Sequence, residues 1–483
     1  MTRFVPPYPE RPRAPLSPLA AILAARRNLL TVFEDKCFEY QFFSTRILNR
    51  QIFVCNSPDT VAQAFIAFHD SFQRKTPQLR HALAPLLGDS LFVSDGELWR
   101  RRRRIVAPIV HASRLAAFAP TMVEAAAEVA LRWARLPDGA AIDALREMAT
   151  LAAEIICRTI FGPRLGAEHA GEVVAAFSAY QREVAQVDLP YLLGLPDWWP
   201  RYQSPAVRGA ARRIHAVLDD VIRRCEEQLE SGDASMIRML RDARDPETGG
   251  PLDRDALRNE AAVIFLAGHE TTANALAWTW FLLSQSPAAE TRLHRELADV
   301  LGGREPSFAD VPLLVYTRAV FEEAIRLYPP VPLLGRQAVR DETIRNRTIP
   351  KSALVVVVPW LLHRHRRLWD RPDHFIPERF LPENAAGRER CSYIPFSVGP
   401  RVCAGQAFGL NEAILCLATL AQRVRLRLAP GTVVAPVCRL TLRPGDSLPM
   451  LIEHHRAQPS RAVQAASAAA ATAVASGVGA DRP

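Results

Sequence analysis

The apolar run from Ala261 to Leu283 is long enough to span a bilayer, yet its centre reads Gly268-His269-Glu270-Thr271-Thr272-Ala273-Asn274. Each of those polar groups would be costly in hydrocarbon. The run therefore predicts a helix buried inside a large soluble protein, with no transmembrane anchor and with a polar cluster at its middle that calls for a functional explanation. The chain can build a core of that size. It has 483 residues, 49% of them apolar and 23% charged, close to ordinary globular usage. Its 23 glycines and 38 prolines exclude a collagen-like or wholly disordered chain.

Length alone suggests roughly three domains, but nothing along the chain supports such a split. Residues 1–15 form a Pro-rich, extended lead-in. No cleavage pattern follows it, and Leu19 to Ala25 reads as a short surface helix. Residues 16–70 mix short helices with strand-like pieces such as Arg50 to Cys55. Apolar spacing of three to four predicts helices at 119–136, 141–161, 168–189 and 205–231, with Pro- and Gly-containing breaks between them. Arg340 to Pro359 alternates and ends in a valine run, which predicts strands. From Ala457 the chain is Ala- and Ser-rich and cannot bury enough surface to fold. The expectation is a single domain over 16–456 and a disordered tail over 457–483.

The net charge is +9, and only Lys36, Lys75 and Lys351 among the 60 basic residues are lysines. Arginine is favoured everywhere, so the run Arg100 to Arg104 carries less information than usual. A nucleic-acid partner is permitted by this charge but not indicated. Eight cysteines, at 37, 55, 157, 225, 391, 403, 416 and 438, show no C-x-x-C pair and no zinc-ligand spacing. They read as reduced thiols in a reducing, cytoplasmic compartment.

One cysteine stands apart. In Phe396-Ser397-Val398-Gly399-Pro400-Arg401-Val402-Cys403-Ala404-Gly405, two glycines bracket Cys403, allowing a tight turn and a close approach of something flat. A helical pattern follows. The positive helix end and its N–H donors favour thiolate at Cys403, and a thiolate held this way is a haem-iron ligand.

This segment resembles F-x-x-G-x-R-x-C-x-G, the haem-binding signature of the cytochromes P450. Further segments agree in the family's order over about residues 40–450. Glu323-Ala324-Ile325-Arg326 is similar to its E-x-x-R, and Pro377-Glu378-Arg379-Phe380 to its P-E-R-F. Ala267-Gly268-His269-Glu270-Thr271-Thr272 is similar to its [AG]-G-x-[DE]-T-[TS], and Trp99 with Arg103 to its W-x-x-x-R. The resemblance implies a mainly helical domain with a small β lobe and haem b (iron protoporphyrin IX) between two central helices. It implies Cys403 as proximal iron ligand, with Phe396 and Gly405 in its loop, and Trp99, Arg103, Arg336 and Arg401 at the haem propionates. Glu323, Arg326 and Arg379 form a buried charge network holding the Cys loop. Gly268, lacking a side chain, lets the macrocycle lie close beside Ala267. Thr271 bonds the Ala267 carbonyl and locally opens the helix. Glu270 and Thr271 are the acid–alcohol pair that delivers protons.

The activity implied is monooxygenation of a small, largely apolar molecule. The family's pocket positions fall on residues about 72–95 and 177–205, Ile264, Ala267, Val331 to Leu334 and Pro436 to Leu440, with Arg439 nearby. Tyr191 to Trp199 either caps the pocket or packs. No nucleotide-binding fingerprint precedes Cys403, so electrons come from separate proteins, a ferredoxin with its reductase or a flavodoxin. An acidic donor would dock near Arg100 to Arg104, a run that reads equally as a solvated basic helix. A monomer is expected. A thiolate-haem peroxygenase or isomerase, a haem-based gas sensor and a helical nucleic-acid binder are the alternatives. The intact Glu270-Thr271 pair disfavours the first.

Overall fold

A computed structural model describes residues 4–162, 171, 174–177, 179–180, 183–184, 188–228, 235–245, 247–438 and 440–454. The predicted tail, half of the predicted helix over 168–189 and Arg439 lie outside them.

Ten helices of ten residues or more carry the described fold: α1 (Pro18–Arg27), α2 (Pro77–Leu87), α3 (Gly96–Val106), α4 (Leu115–Ala134), α5 (Ala144–Phe161), α6 (Pro205–Gln228), α7 (Arg254–Ser284), α8 (Pro287–Leu301), α9 (Val315–Leu327) and α10 (Gln406–Ala421). The central helix, α7, contains the apolar run from Ala261 to Leu283. It starts where Asp253 accepts from the Ala256 N–H at 2.7 Å, and Pro287 opens the next helix after it. Helices α5, α9 and α10 pack against it, so its apolar surface faces protein on nearly every side. Among the described residues no helix is long and apolar enough to cross a membrane.

The β lobe is a five-stranded sheet in the order β1-β2-β8-β5-β3, with β1 (Phe42–Ile47), β2 (Arg50–Cys55), β3 (Arg74–Lys75), β5 (Leu334–Gln337) and β8 (Leu354–Val357). The valine run is β8, buried at the centre of the sheet. A second sheet orders β4 (Ala141–Asp143), β12 (Pro449–His454) and β9 (Val424–Leu428). Residues 141–143 were expected to be helical. They are instead drawn into pairing with β12, Ala141 opposite Leu451, and the helix starts only at the Asp143 cap, which accepts from the Leu145 N–H. Two further hairpins are β6 (Glu342–Ile344) with β7 (Arg347–Ile349), and β10 (Val437–Cys438) with β11 (Leu442–Arg443).

The lead-in has no regular structure from 4 to 12, yet it is tied to the body. Tyr328 donates to the Pro7 carbonyl at 2.6 Å, and Arg11 pairs with Asp373 at 2.7 Å. Tyr191 packs: it is buried under the Arg50 guanidinium and donates to the Ser352 carbonyl at 3.0 Å. Trp198 and Trp199 are exposed.

Candidate active site

Between Ala261 and Leu283 only Leu266, Ala267, Gly268 and Thr271 escape burial. Ala267 and Thr271 lie one turn apart and share one open face of α7. Thr271 Oγ1 donates to the Ala267 carbonyl at 2.6 Å. The predicted local opening does not occur, because α7 runs unbroken through this turn. The hydroxyl takes a second lone pair of a carbonyl that helical bonding leaves free. Thr272, one residue on, points elsewhere and bonds Glu412 of α10 at 3.2 Å.

Gly268 differs from expectation. A Cβ there would sit 2.9 Å from Ile156 Cδ1 on α5. The missing side chain makes room for a neighbouring helix, not for a macrocycle, because the Cα–Cβ direction faces α5.

The Cys loop lies just ahead of α10. Gly399 has φ +77°, and a Cβ there would fall on the Phe65 carbonyl oxygen, so both conformation and space demand glycine. Gly399→Ala should cost roughly 1–3 kcal/mol of stability from backbone strain alone, read by denaturant unfolding. An unchanged midpoint would show that the loop does not need this turn. Beyond the turn, the Cys403 N–H bonds the Phe396 carbonyl at 2.9 Å, and Gly405 leaves the sulfur side clear. The other seven cysteines are buried, whereas the Cys403 side chain is open although it lies deep in the protein. It faces a cleft.

The thiolate preference expected of the helix end is outweighed. Burial pushes the Cys403 thiol up, while the Gly405 N–H and Arg103 pull it down. A metal cation on the sulfur, more than the helix end, is what would hold it deprotonated.

A cationic cradle adjoins this loop. Lys75 of β3 lies opposite Arg336 of β5, and both are buried. Arg401 is buried over the Trp99 ring at 4.3 Å and bonds Asp95 at 3.2 Å. Burial, and then the neighbouring Arg401, push Arg336 down to about 9. Burial also pushes Arg401 down to about 10, with Asp95 opposing, and drives Lys75 well below the usual lysine range. Among the described residues Asp95 is the acid that offsets all three. Three crowded cations against one carboxylate suit a ligand bringing two more. Arg103, one turn from Trp99 on α3, is half-buried with Cys403 as its electrostatic neighbour.

The predicted charge network is present. Arg326 and Glu323 are fully buried and paired bidentately at 2.6 and 2.8 Å. Arg326 also donates to the carbonyls of His363, Pro372 and His374, so all five of its N–H groups are used. Glu323 accepts from the Ile376 N–H at 2.8 Å. Arg379 is marginal: its Nε lies 3.4 Å from Glu323 and it keeps 13% exposure. His363 links the network to the Cys loop, because its Nε2 accepts from the Ile394 N–H and the Ile394 carbonyl accepts from Ser397.

Glu270 turns away from the open stripe. Its Oε1 accepts from Thr441 at 2.5 Å and from Arg443 at 2.9 Å.

The family model for cytochrome P450 matches residues 10–446. The chain belongs to the cytochrome P450 family. Cyclooctatin synthase of Streptomyces melanosporofaciens is 37% identical over 75% of this chain and 78% of its own. Cyclooctat-9-en-7-ol 5-monooxygenase of the same organism is 33% identical over 76% and 79%. The crystal structure of the cytochrome P450DA heme domain matches the fold with TM-score 0.75 and 24% identity, over 86% of this chain and 90% of that one. This P450 is thus an oxidoreductase of the monooxygenase type that takes haem, a small-molecule substrate and electrons from redox partners.

The residues present fit haem. Cys403 offers an open sulfur, α7 offers an open face at Ala267 and Thr271, and three buried cations share one carboxylate. Lys75, Asp95 and His363 were missed in the sequence. Lys75 left one signal, as one of only three lysines in a chain that otherwise uses arginine. Four of the five arginines from Arg100 to Arg104 have acidic partners. Arg100 and Arg104 pair with Glu97, Arg104 also with Glu247, Arg101 with Asp245 and Arg102 with Glu260. That pairing supports the reading as a charged surface helix over the reading as a docking patch.

Proposed function

We propose that this P450 inserts one oxygen atom from O2 into a small, largely hydrocarbon substrate of the class of cyclooctat-9-en-7-ol, an unsaturated alcohol. The site observation that carries oxygen chemistry is the hydroxyl of Thr271 on the unburied face of α7, alongside the open thiol of Cys403. The substrate class rests on the activity for which the relative that acts on that alcohol is named, and on the apolar character of Ile264 and Val331 to Leu334 at the family's pocket positions.

When bound, haem b supplies reduction of dioxygen and transfer of an oxygen atom to a C–H bond or π-system. Cys403 Sγ ligates its iron within the loop of Phe396 and Gly405. Arg336 and Arg401, with Lys75, bind its carboxylates, and Trp99 and Arg103 close the same side. Ala267 offers its flat face room. Thr271 Oγ1 holds a proton on the open face of α7, and Glu270 replenishes it. Glu323, Arg326 and Arg379 keep the loop in place. Electrons arrive from a separate ferredoxin with its reductase, or a flavodoxin. The protein works as a cytoplasmic monomer.

The test is reconstitution with such a donor and cyclooctat-9-en-7-ol, scored for a spin-state shift and for oxygenated product. Thr271→Ala should keep haem, fold and substrate affinity. Its product per electron pair should fall on the order of tenfold, with the electrons recovered as hydrogen peroxide. Unchanged coupling would remove Thr271 from the chemistry and favour a peroxide-driven activity.

A further inference from the structure

The hairpin of β10 and β11 is pinned to the middle of α7 by side chains. The Leu442 carbonyl accepts from Trp278 Nε1 at 3.3 Å. Thr441 Oγ1 accepts from Asn274 Nδ2 at 3.0 Å and donates to Glu270 Oε1 at 2.5 Å. Arg443 donates to the same Oε1 at 2.9 Å. Asn274 lies one turn beyond Glu270, so both residues meet the hairpin on one face of the helix. Thr271 is about 100° round from it, on the open stripe. Exposure is graded along this line: the Arg443 side chain keeps 21% of its surface and that of Glu270 keeps 9%. The neighbouring His269 is buried, and burial followed by the Arg443 charge pushes it down to about 4, so it is neutral near pH 7 and does not compete as a cation for Glu270.

We infer that Arg443 and Thr441 are positioning residues for Glu270, and that protons enter the site past Arg443 from the outer side of this hairpin. The inference rests on the oxygen-activating role proposed above. Glu270 takes a proton from water beside the guanidinium, passes it inward to the hydrogen-bonded neighbourhood of Thr271 Oγ1, and returns to carboxylate. Arg443 keeps that carboxylate at the solvent end of the route between transfers. Thr441 adds a bond to the same oxygen and fixes its angle through Asn274. A fixed partner matters here because a carboxylate buried without one would turn toward any other donor.

The experiment uses the holoenzyme with saturating donor and substrate. Arg443→Leu should slow product formation on the order of tenfold, the loss expected for one charge-assisted hydrogen bond. It should also raise the solvent deuterium isotope effect, with haem content and substrate affinity unchanged. Arg443→Lys should restore most of the rate, and Thr441→Val should lose less than Arg443→Leu. In the Glu270→Gln background Arg443→Leu should slow the enzyme no further. A second readout needs no turnover: the melting shifts of Glu270→Gln and Arg443→Leu should be non-additive in the double variant. Wild-type rate and isotope effect in Arg443→Leu, a lysine variant as slow as leucine, or additive melting shifts would each overturn the inference. If wild-type protein forms no product, the oxygenase reading fails on that count, while the melting cycle still decides whether Arg443 holds Glu270.

Discussion

Cys403→Ala protein should fold, bind haem weakly, and give a ferrous carbonyl complex without the strongly red-shifted Soret band of thiolate haem. The wild type should show that band. The loop does not depend on the sulfur for its shape. Its turn is set by Gly399, and its closure by backbone bonds from Cys403 to Phe396 and from Val402 to Gly399, all of which alanine keeps. What alanine removes is the open thiol, and none of the other seven cysteines can replace it, because all are buried. Residual haem binding should come from the cradle of Lys75, Arg336 and Arg401, which would hold the ligand's carboxylates without the sulfur. Measured haem per protein should therefore fall without vanishing, and melting of the haem-free protein should be nearly unchanged. A wild-type carbonyl spectrum of the histidine type would overturn the assignment of Cys403.

What was legible in the sequence was local. The Cys loop, the Glu323–Arg326 pair and the Ala267–Thr271 turn each occupy a few consecutive residues, so spacing alone places their groups on one helix face or in one turn. The Thr271 bond to Ala267 followed from i−4 geometry and is present. What spacing could not reveal is set by partners far along the chain. Residues 141–143 are a strand because Pro449–Leu451 lie beside them. Lys75 and Arg336 meet because β3 pairs with β5. Gly268 is explained by Ile156 on another helix, a contact that a flat-ligand argument about glycine had no means to foresee. Glu270 was legible as an acid next to an alcohol, but its hold by Thr441 and Arg443 spans more than 170 residues. Arg379 joins the network as read, but its longer contact of 3.4 Å and its residual exposure were not legible, since P-E-R-F says nothing of how deeply its arginine sits.

That inequality within the network leads to a graded result. Arg326→Ala should yield little soluble, haem-loaded protein. It strips a fully buried carboxylate of its bidentate partner and leaves the carbonyls of His363, Pro372 and His374 without those donors. Breaking a buried pair costs roughly 3–5 kcal/mol, and each orphaned acceptor adds about 1–3 kcal/mol. The sum approaches the whole stability of an ordinary domain, about 5–15 kcal/mol. Glu323→Ala should be nearly as severe, because it leaves a guanidinium buried and unpaired and frees the Ile376 N–H. Arg326→Lys should not rescue, since three donors on a point charge cannot replace five in a planar fork. Arg379→Ala should be milder, about 1–2 kcal/mol, because its contact to Glu323 is longer and its side chain reaches solvent. The loss should appear first as missing haem, because the route from Arg326 to the Cys loop runs through one residue: His363 takes a bond from Arg326 on its carbonyl and one from Ile394 on its ring. Haem absorbance per protein and melting temperature, measured across the four variants, should fall in the order Arg379→Ala, Glu323→Ala, Arg326→Ala, with Arg326→Lys beside the last. A folded, fully haem-loaded Arg326→Ala protein that merely turns over slowly would show that the pair serves catalysis and that the loop is held by other contacts.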